Sequence, residues 1–127
     1  MEIMIVDDEP QVAEVLAQSL ARQGHRTTVV HSGQEALEQL HTVAVDAMFL
    51  DVSMPGMNGL DVMAEVKRLK PSLAVVVITG HATEDEVERV KELGAVDVIQ
   101  KPSALMHYRR AIERLHAQRA YPGADHV

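Results

Sequence analysis

The chain has 127 residues, with 12 basic against 19 acidic side chains and a formal net charge of −7. Its 46% hydrophobic and 24% charged content is that of a globular domain and argues against disorder over most of the length. The lack of Cys excludes disulfides, thiolate zinc sites and Cys nucleophiles, while the acidic balance, with no Trp, one Phe and two Tyr, argues against a nucleic-acid-binding surface.

The longest unbroken apolar run, Leu73–Ile78, is too short to span a bilayer, so no membrane segment is expected. No charged-then-apolar leader precedes a small-residue cleavage site, and a cytoplasmic location is the expectation. Glu2–Val6 reads as a strand that stops at Asp7-Asp8. Pro10 suits the first turn of a helix, Val12, Val15, Leu16, Ser19 and Leu20 follow at helical spacing, and Gly24 is a natural stop. His25–Val30 has β-branched character and predicts a second strand. Ser32 and Glu35 form a capping-box pattern ahead of Ala36, Leu37 and Leu40.

Val45–Leu50 predicts a third strand that runs into Asp51, followed by a Pro/Gly/Met loop over Val52–Gly59. Val62, Met63, Val66 and Leu69 mark one face of a helix ending before Pro71. Leu73–Thr79 predicts a fourth strand, apolar at every position but Thr79, so both of its faces should be covered. Thr83 and Glu86 repeat the capping-box pattern, Val87, Val90 and Leu93 form that helix's stripe, and Gly94 sits where a left-handed cap is wanted. Val96–Gln100 predicts a fifth strand. Leu105, Tyr108, Ile112 and Leu115 describe a long amphipathic helix, and Ala120–Val127 a frayed end. Five strand–helix units imply an α/β fold: a five-stranded parallel sheet with helices on both faces. The flavodoxin-like strand order 2-1-3-4-5 is the natural choice, with its functional crevice at the carboxyl ends of the strands.

Four of the predicted strands end in a residue that can do chemistry. The first supplies Asp7 and Asp8, the third Asp51, the fourth Thr79 and the fifth Lys101, while the second ends blandly at Val30-His31. In a parallel sheet these side chains converge on one edge. Two unit charges 4 Å apart repel by ~4 kcal/mol at an effective dielectric of ~20, and one Lys cannot neutralise three carboxylates. A hard divalent cation can, and oxygen ligands with retained waters describe Mg²⁺. Its open positions suit a phosphoryl oxygen. A carboxylate can attack phosphorus to form an aspartyl phosphate, and such transfer needs positioning and charge neutralisation more than acid–base help. Asp51 is the best nucleophile candidate. Asp7 and Asp8 are the candidate Mg²⁺ ligands, with the Ser53 backbone carbonyl as a further oxygen. Lys101 would pair with one phosphate oxygen and the Thr79 hydroxyl would donate to another.

The stretches Val6-Asp7-Asp8-Glu9-Pro10, Leu50-Asp51-Val52-Ser53-Met54-Pro55-Gly56-Met57-Asn58-Gly59, Ile78-Thr79-Gly80-His81, Gly94-Ala95-Val96-Asp97 and Lys101-Pro102 resemble receiver domains of bacterial two-component response regulators. The wording around 78–82 and 94–102 is most similar to nitrogen-regulation and nitrogen-fixation regulators. The resemblance covers about residues 2–117; it implies a receiver domain over 1–119 and a flexible tail over 120–127. It also implies that Asp51 takes a phosphoryl group from a sensor histidine kinase or phosphotransfer protein, with Mg²⁺ (Mn²⁺ as a substitute) at Asp7, Asp8 and Asp51. A cis peptide before Pro102 and a downstream output domain belong to the same expectation, as do transcription regulation and the absence of turnover catalysis beyond self-phosphorylation and self-dephosphorylation. In the family, the Thr79-type hydroxyl and an aromatic three residues before the Lys101-type lysine form the switch. Here that second position is Val98, so the aromatic part is missing.

Other readings remain beside this one. Asp7 and Asp8 also suit a helix N-terminus, Asp51 a loop cap, and Lys101-Pro102 a surface turn. A degenerate receiver that only binds partners is one alternative, and a Mg²⁺-dependent aspartyl phosphohydrolase is another, though the chain lacks a D-x-D pair. Met54 and Met57 are candidate partner contacts, and His81 borders the expected phosphate. The segment Glu84–Leu93 carries net −3 and Ser103–Ala120 net +3. They are either solvated faces or a two-fold dimer surface built from the fourth helix, fifth strand and fifth helix.

Overall fold

A computed structural model describes residues 1–53, 58–80, 83–100, 113–115 and 117. Five strands, β1 (Glu2–Val6), β2 (Arg26–Val30), β3 (Ala47–Asp51), β4 (Ala74–Thr79) and β5 (Ala95–Gln100), alternate with four helices. These are α1 (Pro10–Arg22), α2 (Gly33–Leu40), α3 (Gly59–Leu69) and α4 (Glu84–Glu92). Residues 113–115 and 117 are helical and belong to the expected fifth helix. All strands are parallel, in the order β2-β1-β3-β4-β5. The flavodoxin-like α/β expectation therefore holds. Among the described residues, no helix is long and apolar enough to cross a membrane.

The two-residue repeat of a strand sends alternate side chains to opposite layers. Met4, Val6, Met48, Leu50, Val75 and Val77 pack under α2, α3 and α4 through Ala36, Leu40, Val62, Met63, Val66 and Val90. Ile3, Ile5, Phe49, Val76 and Ile78 pack on the other side with Ala13, Leu16 and Leu20 of α1 and with Leu115. β4 is covered on both faces because it feeds both layers. The C-terminal helical segment is also tied to β5 by Arg114, whose Nη1 lies 3.0 Å from Asp97 Oδ1.

Helix ends follow the local sequence. Ser32 Oγ accepts from the Glu35 N–H at 3.1 Å, and Thr83 Oγ1 accepts from the Glu86 N–H at 3.2 Å. Gly94 takes φ +105°, a left-handed conformation that favours glycine. The Lys67 ammonium donates to the Leu73 carbonyl at 2.7 Å, and burial pushes its pKa down.

Some boundaries and faces differ from expectation. β2 starts at Arg26, because His25 closes the α1 turn by donating its N–H to Leu20 O at 3.1 Å. His25 is also buried, with Nδ1 3.0 Å from the N-terminal amine. β3 starts at Ala47 rather than Val45. Asp46 fixes that entry: its N–H donates to Glu2 O and its carboxylate accepts from Glu2 N–H, both at 2.8 Å. Strands β4 and β5 are shifted by one residue at their starts. Val15 is 50% exposed; Ala13 takes the inward place, since Ala13, Leu16 and Leu20 share one helical face.

Gly59 starts α3 pressed against the chain leaving β3. A methyl group there would meet the Val52 Cβ and stand 2.6 Å from both the Val52 Cα and its carbonyl oxygen. Backbone cannot yield as a side-chain tip can. Gly59→Ala is expected to cost about 3 kcal/mol, read as a lower urea midpoint. A change under about 0.5 kcal/mol would mean that the contact is not rigid.

Candidate functional site

The register of the sheet assembles the carboxyl edge. Val6 pairs with Leu50, so the next residues, Asp7 and Asp51, leave neighbouring strands side by side. Asp51 pairs with Ile78, which puts Thr79 one step beyond it on β4. Asp7 and Asp51 are each 1% exposed and Thr79 is 4% exposed. Asp8 is more open to solvent. One carboxylate oxygen from each of Asp7, Asp8 and Asp51 lies within 4.8 Å of the others.

Three anions so placed repel by about 3–4 kcal/mol per pair at an effective dielectric of ~20. The trio can hold a divalent metal ion. A Mg–O distance of about 2.1 Å puts two ligand oxygens at most ~4.2 Å apart, so a small side-chain rotation or one intervening water closes the gap. The donor set is hard oxygen throughout, which suits Mg²⁺ or Mn²⁺ better than soft-ligand metals.

Backbone groups orient the acids. Asp7 Oδ1 accepts from the Glu9 N–H at 2.9 Å, just ahead of α1. This turn is the kernel of truth in the helix-terminus reading, although Glu9, not an Asp, is the residue that precedes the helix. His31 Nδ1 lies 3.0 Å from the Asp7 carbonyl oxygen. The end of β2 is therefore not bland: His31 braces the strand end that carries the acid pair.

Sequence reasoning assigned Ser53 only through its backbone carbonyl. The structure gives its hydroxyl a separate job. Ser53 Oγ donates to Asp51 Oδ1 at 2.7 Å, and the Ser53 N–H donates to the same oxygen at 2.8 Å. The same Oγ accepts from the Gly80 N–H at 3.2 Å. One hydroxyl thus links the β3 acid to the backbone directly after Thr79. A serine two residues past a strand-end Asp is the signal that was available; the link to Gly80 depends on loop geometry. Ser53→Ala is expected to lower stability by about 1–2 kcal/mol and to speed hydrogen exchange of the Gly80 amide. Unchanged exchange at Gly80 would show that the link is not held in solution.

Val98 is half-buried against Val77 and the α4 layer, beside a cleft of about 480 Å³. Lys101, Pro102, His81, Met54 and Met57 lie outside the described residues, and so do most of the basic helix and residues 120–127. Asp7, Asp8, Asp51, Ser53 and Thr79 are the predicted site residues that the structure brings to one edge.

Three comparisons bear on this geometry. The response regulator receiver domain profile matches residues 3–113. A response regulator receiver protein of Anaeromyxobacter is 36% identical over 102 residues, covering 80% of this chain and 43% of that protein. The DNA-binding transcriptional regulator NtrC of Klebsiella pneumoniae is 32% identical over 132 residues, 95% of this chain and 28% of NtrC. The chain therefore spans less than half the length of these relatives. The crystal structure of the receiver domain of NtrX from Brucella abortus superposes with a TM-score of 0.82 at 31% identity, covering 89% of this chain and 96% of that one. Strand order, an acid trio at the sheet edge, Thr79 beside it and a match over nearly the whole length agree: this chain belongs to the response regulator receiver domain family, a signalling module of two-component systems.

Proposed function

We propose that Asp51 is the phosphoacceptor of this receiver and that a phosphohistidine on a sensor histidine kinase or phosphotransfer protein is its donor. The supporting observation is the convergence of Asp7, Asp8 and Asp51 at one strand edge, with Thr79 on the adjacent strand. An Asp51 carboxylate oxygen attacks phosphorus, the P–O bond forms as the P–N bond breaks, and the leaving imidazole takes a proton. The Ser53 N–H and hydroxyl hold Oδ1, which fixes the carboxylate plane and directs attack to the other oxygen. A Mg²⁺ ion held by Asp7, Asp8, Asp51 and the Ser53 carbonyl would supply charge neutralisation for the transferred group. The Thr79 hydroxyl donates to a phosphoryl oxygen, and Lys101 pairs with another.

Once formed, the aspartyl phosphate adds about one further unit of negative charge or slightly more. Thr79 moves to meet it, Ser53 exchanges its partners, and the face of α4, β5 and the C-terminal helix changes its population of states. Val98 cannot act as an aromatic rotamer, so here the Ser53–Gly80 link carries the change toward α4. The receiver unit runs over 1–119 with 120–127 as a tail. Its setting is cytoplasmic, and its effect passes to an output domain or to a second copy through the α4–β5 face. Incubation with acetyl phosphate and Mg²⁺ tests the reading: the chain should gain one phosphoryl mass, and no gain at saturating donor would contradict it.

A further inference from the structure

We infer that the cleft between β4, β5 and α4 is a binding site for a small, neutral, mostly apolar molecule of about the size of one or two aromatic rings. Its volume is about 480 Å³. Native interiors hold few voids larger than a water molecule, so a gap of this size is a feature and not packing noise. It falls within the ~300–1,000 Å³ range of ligand pockets.

The walls explain why the gap persists. Val77 forms the floor on β4, Val98 the side on β5, and Val87 and Val90 the roof on α4. Valine is short and stiff at χ1, so none of these side chains can extend to fill the space. Leu60 of α3 closes one flank. Thr79 and Ser53 line the end nearest Asp51, and exposed Glu86 stands on the lining from α4.

Size and charge select the occupant. One helical turn, ~10 Å across and 5.4 Å long, already takes about 420 Å³, so a docked helix or longer peptide does not fit. An anion would meet Glu86 and lie close to the acid trio. A cation would have to leave water among valines. A neutral ring or branched aliphatic body fits the walls, with one hydroxyl or N–H for Thr79. Apolar cavities lined in this way stay dry and take up such molecules.

Indole is a suitable probe, and binding is measured on the unphosphorylated chain, so the outcome does not depend on the phosphoacceptor reading. In ¹H–¹⁵N spectra, saturable shifts are expected at Val77, Val87 and Val98, with a Kd of about 1 mM or tighter. Val98→Phe and Val87→Phe fill the space from two sides; each is expected to weaken binding at least about tenfold while far-UV circular dichroism stays native. The inference is overturned if the wild-type chain shows no saturable shift up to about 10 mM indole, if the shifts map elsewhere, or if a folded filling variant binds indole unchanged.

Discussion

Asp51→Asn is expected to abolish phosphoryl uptake while the chain stays folded. The carboxamide has nearly the same shape, and its oxygen can still accept from the Ser53 N–H, which lies 2.8 Å from Oδ1 in the wild type. It has lost the anionic oxygen that attacks phosphorus. The two effects separate cleanly. Labelling by acetyl phosphate should fall at least about a thousandfold, because neither Asp7 nor Asp8 takes up the central place between β1 and β4. Stability in metal-free buffer should rise by about 1 kcal/mol, since one member of a mutually repelling trio becomes neutral. Intact-mass spectra and urea midpoints read the two quantities. Retained labelling would place the acceptor elsewhere, and a loss of stability would mean that the acid trio is not under electrostatic stress.

Removing divalent cations is expected to have the second-largest effect. The oxygens of Asp7, Asp8 and Asp51 sit within 4.8 Å of one another, and the first and third are almost fully buried. Without a cation, an incoming phosphoryl group adds charge to an edge that is already anionic. EDTA should therefore slow labelling by about a hundredfold or more, and excess Mg²⁺ or Mn²⁺ should restore it. The same site makes folding stability depend on metal. At a hundred times Kd, a cation that binds only the native chain adds about 2.7 kcal/mol. That gain should fade in acid, because the ligands must be deprotonated to bind. Asp8→Asn should weaken the metal without disturbing the core, since Asp8 is the most open of the three. A melting temperature indifferent to Mg²⁺ would contradict the metal reading.

Much of this molecule can be read from one dimension. Apolar runs separated by helix-spaced stripes dictate a parallel α/β sheet, and β4, apolar on both faces, marks a covered central position. The acid trio was legible for the same reason: Asp7, Asp8 and Asp51 each follow a strand, and parallel strands share one carboxyl edge. What escaped depends on three-dimensional detail. Ser53 and Gly80 are 27 residues apart, and their bond exists only because two loops turn toward each other. The His31 contact with Asp7 spans 24 residues and arises from the β1–β2 pairing. Gly59 reads as an ordinary turn residue until Val52 is seen against it. Val15 and Ala13 trade places because helical periodicity defines a stripe but not its centre. The cleft beside Val98 is a sum of side-chain sizes across three elements, which no local pattern encodes.

The most direct test of the central idea locates the modified atom. The chain is treated with acetyl phosphate, with and without Mg²⁺, then reduced with borohydride and sequenced by tandem mass spectrometry. The account predicts one Mg²⁺-dependent product, with the reduced acyl carbon at Asp51. A phosphoryl group found on Ser53, His31 or any residue other than Asp51, or uptake that proceeds equally well without a divalent cation, would contradict it.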